Sequence, residues 1–307
     1  MITIAEWRNV TKRYGSVTAA QDVTLELEPG EATALVGHNG AGKTTLIKLL
    51  LGLIRPDEGS VRVAGVDPAG ARGAEARRAL GFLPENVAFH GAMTGTELLA
   101  FYARLKRQPQ ANNRELLERV GLSHAADRRV STYSKGMRQR LGIAQALIGV
   151  PKLLLFDEPT SGLDPASRAD VFALIDTLRK GGATVLVSTH ALAEIEQHVD
   201  RVAIMHRSRL IAAGTMAELR RGAEADARLR VRVVPCSTGR VLRQLPEIVR
   251  CVQRSDAELV LMMPAGLKMD VLRVLLAMPE VVLDVEVTAP GLQQLYGQLV
   301  DTVEDPA

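Results

Sequence analysis

The run Gly37-His38-Asn39-Gly40-Ala41-Gly42-Lys43-Thr44 constrains this chain more than any other feature. It fits GxxxxGK[ST], follows a β-type run, Ala32 to Val36, and opens an apolar helix. Such a loop holds phosphate. Its glycines let backbone N–H groups converge on an anion, and the helix N-terminus adds positive potential. Lys43 supplies a point charge and the Thr44 hydroxyl takes a Mg²⁺ position. The cradle is read as Gly37 to Thr45, placed on the β- and γ-phosphates of a nucleotide.

A second motif supplies carboxylates. Leu153-Leu154-Leu155-Phe156-Asp157-Glu158 is an apolar strand that buries four side chains and delivers two charges at its C-terminal edge, where sites of α/β proteins lie. Asp157 is expected to face Mg²⁺ and Glu158 the attacking water, because phosphoryl transfer needs a metal carboxylate and a water-positioning group. Together the two motifs fit many nucleotide hydrolases and some kinases.

Composition sets the outer bounds. A chain of 307 residues with 47% hydrophobic and 24% charged side chains has the makeup of a folded protein long enough for two domains. No window holds 18 uncharged apolar residues, since the Leu46 to Ile54 stretch contains Lys48, so no bilayer span is expected. Met1 to Arg8 carries Glu6 where a signal peptide needs an apolar core, so a cytoplasmic location is expected. The balance of 38 basic against 35 acidic residues comes without basic runs or interleaved aromatics, which makes nucleic acid an unlikely partner. Cys236 and Cys251 match no zinc spacing and read as reduced thiols packed, like the methionines Met262, Met263, Met269 and Met278, in element interiors rather than around copper.

Along the chain, short β-rich runs (2–7, 22–28, 32–36 and 60–64) give way at Thr94 to a helical pattern that opens with a Thr94/Glu97 capping box. Helical periodicity runs to Val150. Buried strands at 153–156 and 184–188 then flank a helix at 167–179, the alternation of a parallel α/β fold. A shift in composition at Arg221 to Arg228 marks a linker. Beyond it the pattern is βαββαβ, which is ferredoxin-like, and a last helix, 291–300, precedes an acidic tail. The expected domains are 1–221, with a helical part at about 86–150, and 226–307.

Further elements narrow the class. Tyr133-Ser134-Lys135-Gly136-Met137-Arg138-Gln139 resembles the signature of ATP-binding-cassette (ABC) ATPases, usually written LSGGQ, with Ser134 and Gly136 at its phosphate-contacting positions. Ser161-Gly162-Leu163-Asp164 resembles that family's D-loop, His190 of Ser188-Thr189-His190 its switch histidine, and Tyr14 of Arg13-Tyr14-Gly15 the aromatic that stacks on adenine. Residues 1–221 therefore resemble an ABC-transporter ATPase. The resemblance implies a mixed sheet core with an antiparallel β subdomain and a helical subdomain. It also implies ATP and Mg²⁺ as ligands, and a homodimer in which Ser134 and Gly136 of one subunit reach the nucleotide held by Lys43 of the other. Glu158 and His190 would serve catalysis and Asp164 would link the two sites. A multi-span membrane permease would be the partner.

Two departures stand out: Tyr133, Lys135 and Met137 in the signature, where Leu, Gly and Gln are commonest, and Glu85, where the family usually places a Gln that approaches Mg²⁺. The blocks Gly37 to Gly40, Leu83-Pro84-Glu85-Asn86-Val87 and His124 to Gln145 are similar to the ATPase subunits of Nos systems, which are implicated in copper-centre assembly of nitrous oxide reductase. That likeness implies a permease with a periplasmic Nos-type protein, and a subunit attached to the inner face of the cell membrane. Another exporter, of drug or lipid type, is the alternative. A soluble ABC ATPase on nucleic acid or ribosomes fits less well, because Lys43 and Ser134 are separated by no coiled coil and the cassette is single.

Overall fold

The computed structural model describes residues 3–110, 112–222 and 226–304. Two compact units divide the chain, Met1–Thr215 and Met216–Ala307. The first begins with β1 (Ala5–Tyr14), β2 (Val17–Leu27), β3 (Ala32–Val36), α1 (Lys43–Leu50), β4 (Glu58–Val63), α2 (Gly73–Arg78) and β5 (Leu80–Leu83). It continues through α3 (Gly95–Leu105), α4 (Asn113–Arg119), α5 (Lys135–Ala146), β6 (Leu153–Asp157) and α6 (Pro165–Lys180). Its last elements are β7 (Thr184–Thr189), α7 (Leu192–Ile195), β8 (Arg201–His206) and β9 (Arg209–Gly214).

Every residue of β3, β6 and β7 is buried, the mark of parallel strands covered on both faces. They lie in a mixed sheet of order β5-β6-β7-β3-β8-β9, parallel except for β9. In register, Val36 sits beside Thr189 and Asp157 beside Ser188. The phosphate loop, the two carboxylates and His190 therefore emerge from one edge of one sheet. A separate antiparallel sheet, β2-β1-β4, carries Trp7, which is fully buried and donates from Nε1 to Leu46 O of α1 at 3.3 Å. That contact ties the second sheet to the helix behind the phosphate loop.

Helices α3, α4 and α5 form the helical part, and α3 opens with the capping box expected of Thr94 and Glu97. Residues 86–94, grouped above with the helical block, are turn and coil instead. Strands β8 and β9, which have no counterpart in the sequence reading, complete the sheet; β9 is mostly half-buried and lacks a clean alternation. Strand β1 also runs on to Tyr14, through the charged Lys12 and Arg13, because its pairing with β2 continues to the hairpin turn rather than ending at Trp7.

The second unit comprises α8 (Met216–Gly222), β10 (Ala227–Val233), α9 (Thr238–Leu242), β11 (Arg250–Arg254), β12 (Glu258–Met263), α10 (Lys268–Leu276), β13 (Val282–Thr288) and α11 (Leu292–Glu304). Its antiparallel sheet has the order β11-β12-β10-β13. With helices after the first and third strands, that is the ferredoxin-like topology. Ala227, Leu229, Val231 and Val233 of β10 face a core closed by Val241 of α9 and by Val271 and Leu275 of α10. The boundary lies six residues before the one the composition indicates. Helix α8 belongs to the second unit, where Arg220 Nε donates to Pro290 O at 2.9 Å.

Candidate functional site

Gly42 ends the loop with φ +104°, and a Cβ there would collide with Ala19 O; a side chain at Gly37 would strike Met205 O. Glycine is needed at both positions because neighbouring backbone lies against the loop. At the start of α1, the buried Lys43 donates from Nζ to Gly37 O (2.7 Å) and His38 O (3.3 Å) and lies 3.4 Å from Glu158 Oε1. No side chain caps α1, so its first-turn amides face the loop without a competing acceptor.

Across the loop, Thr44 Oγ1 is 3.5 Å from Asp157 Oδ1. Ser188 Oγ donates to the same carboxylate oxygen at 2.5 Å and accepts from Glu158 N at 3.0 Å. Ser188 thus orients both acidic residues, and its place opposite Asp157 follows from strand register rather than from any motif. Glu158 adopts a left-handed backbone, φ 46°, which costs on the order of 1 kcal/mol for a residue with a Cβ. The neighbouring β7 holds that conformation in place, and Glu158 Oε2 lies 2.8 Å from His190 Nδ1.

Glu158 and His190 line one cavity of about 540 Å³, together with Tyr14, Asn39 to Thr45, and Glu85, whereas Asp157 and Ser188 stand outside its lining. Val17, Thr18, Ala19 and Ser161 line it as well. The sequence reading gave those four no contact with a ligand; the first three lie in β2, whose placement over the loop only the fold reveals. Tyr14 is 48% exposed at the tip of the β1–β2 hairpin, with Lys12 Nζ over its ring at 5.5 Å from the centroid. Gly37 and His38 stand behind the cavity as acceptors for Lys43.

Ser134 and Gly136 do not line this cavity. Ser134 caps α5, its Oγ accepting from Met137 N at 3.2 Å, and a Cβ on Gly136 would come within 2.8 Å of Ser167 Oγ. Asp164 also stands apart from the cavity lining and caps α6. Its Oδ1 accepts from Ser167 N (2.9 Å) and its Oδ2 from Ser167 Oγ (2.7 Å), bonds that hold its carboxyl below the usual Asp range. The signature and the D-loop therefore meet within one chain, at Ser167.

Residues 20–161 match the ABC transporter family. Over 216 residues the chain is 41% identical to the uncharacterized ABC transporter ATP-binding protein YxlF of Bacillus subtilis, covering 69% of this chain and 71% of that one. The chain belongs to the ATP-binding subunits of ABC transporters. Its identity to the bacitracin transport ATP-binding protein BcrA of Bacillus licheniformis is 39% over 213 residues, 69% of each chain. A solved ATP-binding subunit of an ABC transporter superposes with a TM-score of 0.65 at 32% identity, covering 72% of this chain and 93% of that one. This ABC subunit is an ATP hydrolase of the transport-coupled kind.

The cysteines correct one expectation. Both Cys236 and Cys251 are exposed, the first in a turn with φ 64° and the second on the edge strand β11, and Met269 is 56% exposed. Interior packing describes only part of that sulfur set: Met263 and Met278 are buried. Among the described residues no group of three His, Cys, Asp or Glu side chains could hold a metal.

Proposed function

We propose that two copies of this subunit close head to tail over two ATP molecules and pass that closure to a separate membrane permease. One observation carries the reading: the cavity holding Lys43, Glu158 and His190 lacks Ser134 and Gly136, which sit on their own helix start. A site split in this way is completed by a second copy, whose α5 N-terminus brings the Ser134 hydroxyl and the positive end of the helix to the γ-phosphate.

Thr44 and Asp157 fit a Mg²⁺ ion, because one hydroxyl and one carboxylate 3.5 Å apart suit a hard cation that takes its other ligands from phosphate and water. When bound, the ion would neutralise charge on the phosphate oxygens. Glu85, on the cavity wall, would approach the same ion. Lys43 and the loop amides bind the phosphates and Tyr14 stacks on the adenine. Glu158 Oε2 orients a water in line with the γ-phosphate and takes up its proton. His190 Nδ1 lies 2.8 Å from Glu158 Oε2, which leaves Nε2 as the ring nitrogen that meets the γ-phosphate. Asp164 transmits the state of one site to the other across the closed interface.

The test is Glu158→Gln, which keeps volume and removes the base. ATP affinity should be retained, phosphate release should fall at least a hundredfold, and ATP should trap a dimer visible by light scattering. Wild-type turnover would remove Glu158 from its role, and a monomer in saturating ATP would sink the split site.

For the cargo, the residue blocks shared with Nos-system ATPases support a role in copper-centre maturation of nitrous oxide reductase. A periplasmic Nos-type protein beside the permease would follow, with the subunit held at the cytoplasmic face of the membrane. The likeness to a bacitracin transport ATPase favours an antibiotic exporter as the second reading. Deleting the gene separates them. Loss of the copper signal in nitrous oxide reductase supports the first, and a gain in antibiotic susceptibility with copper sites intact supports the second.

A further inference from the structure

The second unit contains a cavity of about 600 Å³, within the ~300–1,000 Å³ range of small-molecule sites. Its walls are apolar: Ala227, Pro264, Val287 and Pro290 contribute, and Val287 is left 48% exposed although it lies on the core-facing side of β13. At its rim stand three cations, Arg220, Arg221 and Lys268, and no carboxylate lines it among the described residues. Arg220 is oriented by its bond to Pro290 O. Lys268 begins α10, directly after a single helical turn at Ala265–Leu267, and lines the cavity with Gly266 of that turn. The one acidic residue in the first turn of α10, Asp270, is paired with Arg273 at 2.8 Å.

We propose that this cavity binds an amphipathic organic anion, a carboxylate or phosphate head on an apolar body. The head meets Arg221 and Lys268, and the body covers Val287, Ala227 and the two prolines. Cations alone would suit any small anion, and apolar walls alone any hydrocarbon; their combination in one cavity selects a ligand that carries both. Such a site gives the second unit a sensing role independent of nucleotide, and the proposal does not rest on the transport reading above.

Calorimetric titration of the full chain tests it, with decanoate and decyl phosphate as probes below their micelle concentrations, and decanol and acetate as controls. Saturable binding of either amphiphile, at least tenfold tighter than decanol and acetate, is the expected result. Preference for decanoate points to a fatty-acid source, and preference for decyl phosphate to a phospholipid source. Equal binding of decanol would show that the cations recognise nothing, and equal binding of acetate an adventitious anion only; either overturns the proposal. Arg221→Glu with Lys268→Glu should weaken the amphiphile at least tenfold while leaving basal ATP hydrolysis unchanged. Should that variant misfold by circular dichroism, Lys268→Gln serves, with a threefold loss expected. Unchanged affinity in a folded variant also overturns the site.

Discussion

At the scale of single residues, Lys43 and Tyr14 separate the binding of phosphate from the choice of base. Lys43 is buried at the loop and acts as a point charge, so Lys43→Ala should weaken ATP by about 1.5–3 kcal/mol, the range for hydrogen bonds to charged groups. Tyr14→Ala removes a half-exposed ring whose stacking contributes about 1 kcal/mol, near the low end for a base on an aromatic face. Fluorescent-nucleotide titrations should show affinity falling in both variants and the ATP-to-GTP preference only in the second; an unchanged preference in Tyr14→Ala removes the adenine contact. Ser188 is a subtler case. Its hydroxyl bonds to Asp157 and to the Glu158 amide, so Ser188→Ala should slow hydrolysis while leaving nucleotide affinity within a few-fold.

Between elements, α5 connects the proposed dimer face to the nucleotide cavity. Its N-terminus carries Ser134 and Gly136, and its middle packs so closely on β5 that a Cβ at Gly142 would meet Leu83 Cδ1 at 2.5 Å. The chain leaving β5 bears Glu85. One helix thus joins the residue on the nucleotide cavity to the signature at the proposed dimer face, and Gly142→Val should cost about 1–3 kcal/mol by overpacking, read as a lowered thermal midpoint. Asp164 links the next pair. As the cap of α6 it satisfies the Ser167 amide, and Asp164→Ala should remove that stabilisation of the helix start, read as a lowered thermal midpoint. Because its carboxyl is held below the usual Asp range, that contribution is fully present above about pH 4 and fades as pH falls through the lowered value. Thermal melts of Asp164→Asn, a side chain that still caps, should lack this acid sensitivity. Much of this layer was legible from the amino acids. The phosphate loop, the acidic strand end, the capping box and the βαββαβ order rest on local spacing and periodicity, which sequence carries directly. What escaped depends on long-range placement: Val17 to Ala19 over the loop, Ser188 opposite Asp157, and Ser167 between the signature and the D-loop are set by strand register and helix packing. Helix α8 escaped for a related reason, since its partner Pro290 lies 70 residues further on.

Across the whole molecule, no helix among the described residues is long and apolar enough to cross a membrane, so coupling to transport passes through a surface. The stretch Asn86 to Met93, with the apolar Val87, Phe89 and Met93 and little charge, is one candidate for a permease helix to dock on. The structure gives its residues a second duty. Val87 lies within 3.4 Å of the space beside Gly142, and Phe89 meets Tyr102 edge to face at 6.2 Å. Replacing Val87 and Phe89 by Asp therefore attacks packing as well as docking and should destabilise the unit by about 1–3 kcal/mol. Tyr102 also meets Phe101 at 5.4 Å, so the cluster continues outward to Phe101 and Leu105, which are 40% and 64% exposed on α3. An exposed aromatic and a leucine one turn apart offer a docking helix its anchors at little cost to this chain's own core. Phe101→Asp with Leu105→Asp should keep the thermal midpoint and basal hydrolysis within error of the parent. It should also release the subunit from membranes that contain its permease, measured by co-sedimentation. Undiminished co-sedimentation of the outer variant would move the docking surface elsewhere. Release by Val87→Asp with Phe89→Asp alone, in a protein that still melts cooperatively at the parent temperature, would return it to the stretch Asn86 to Met93.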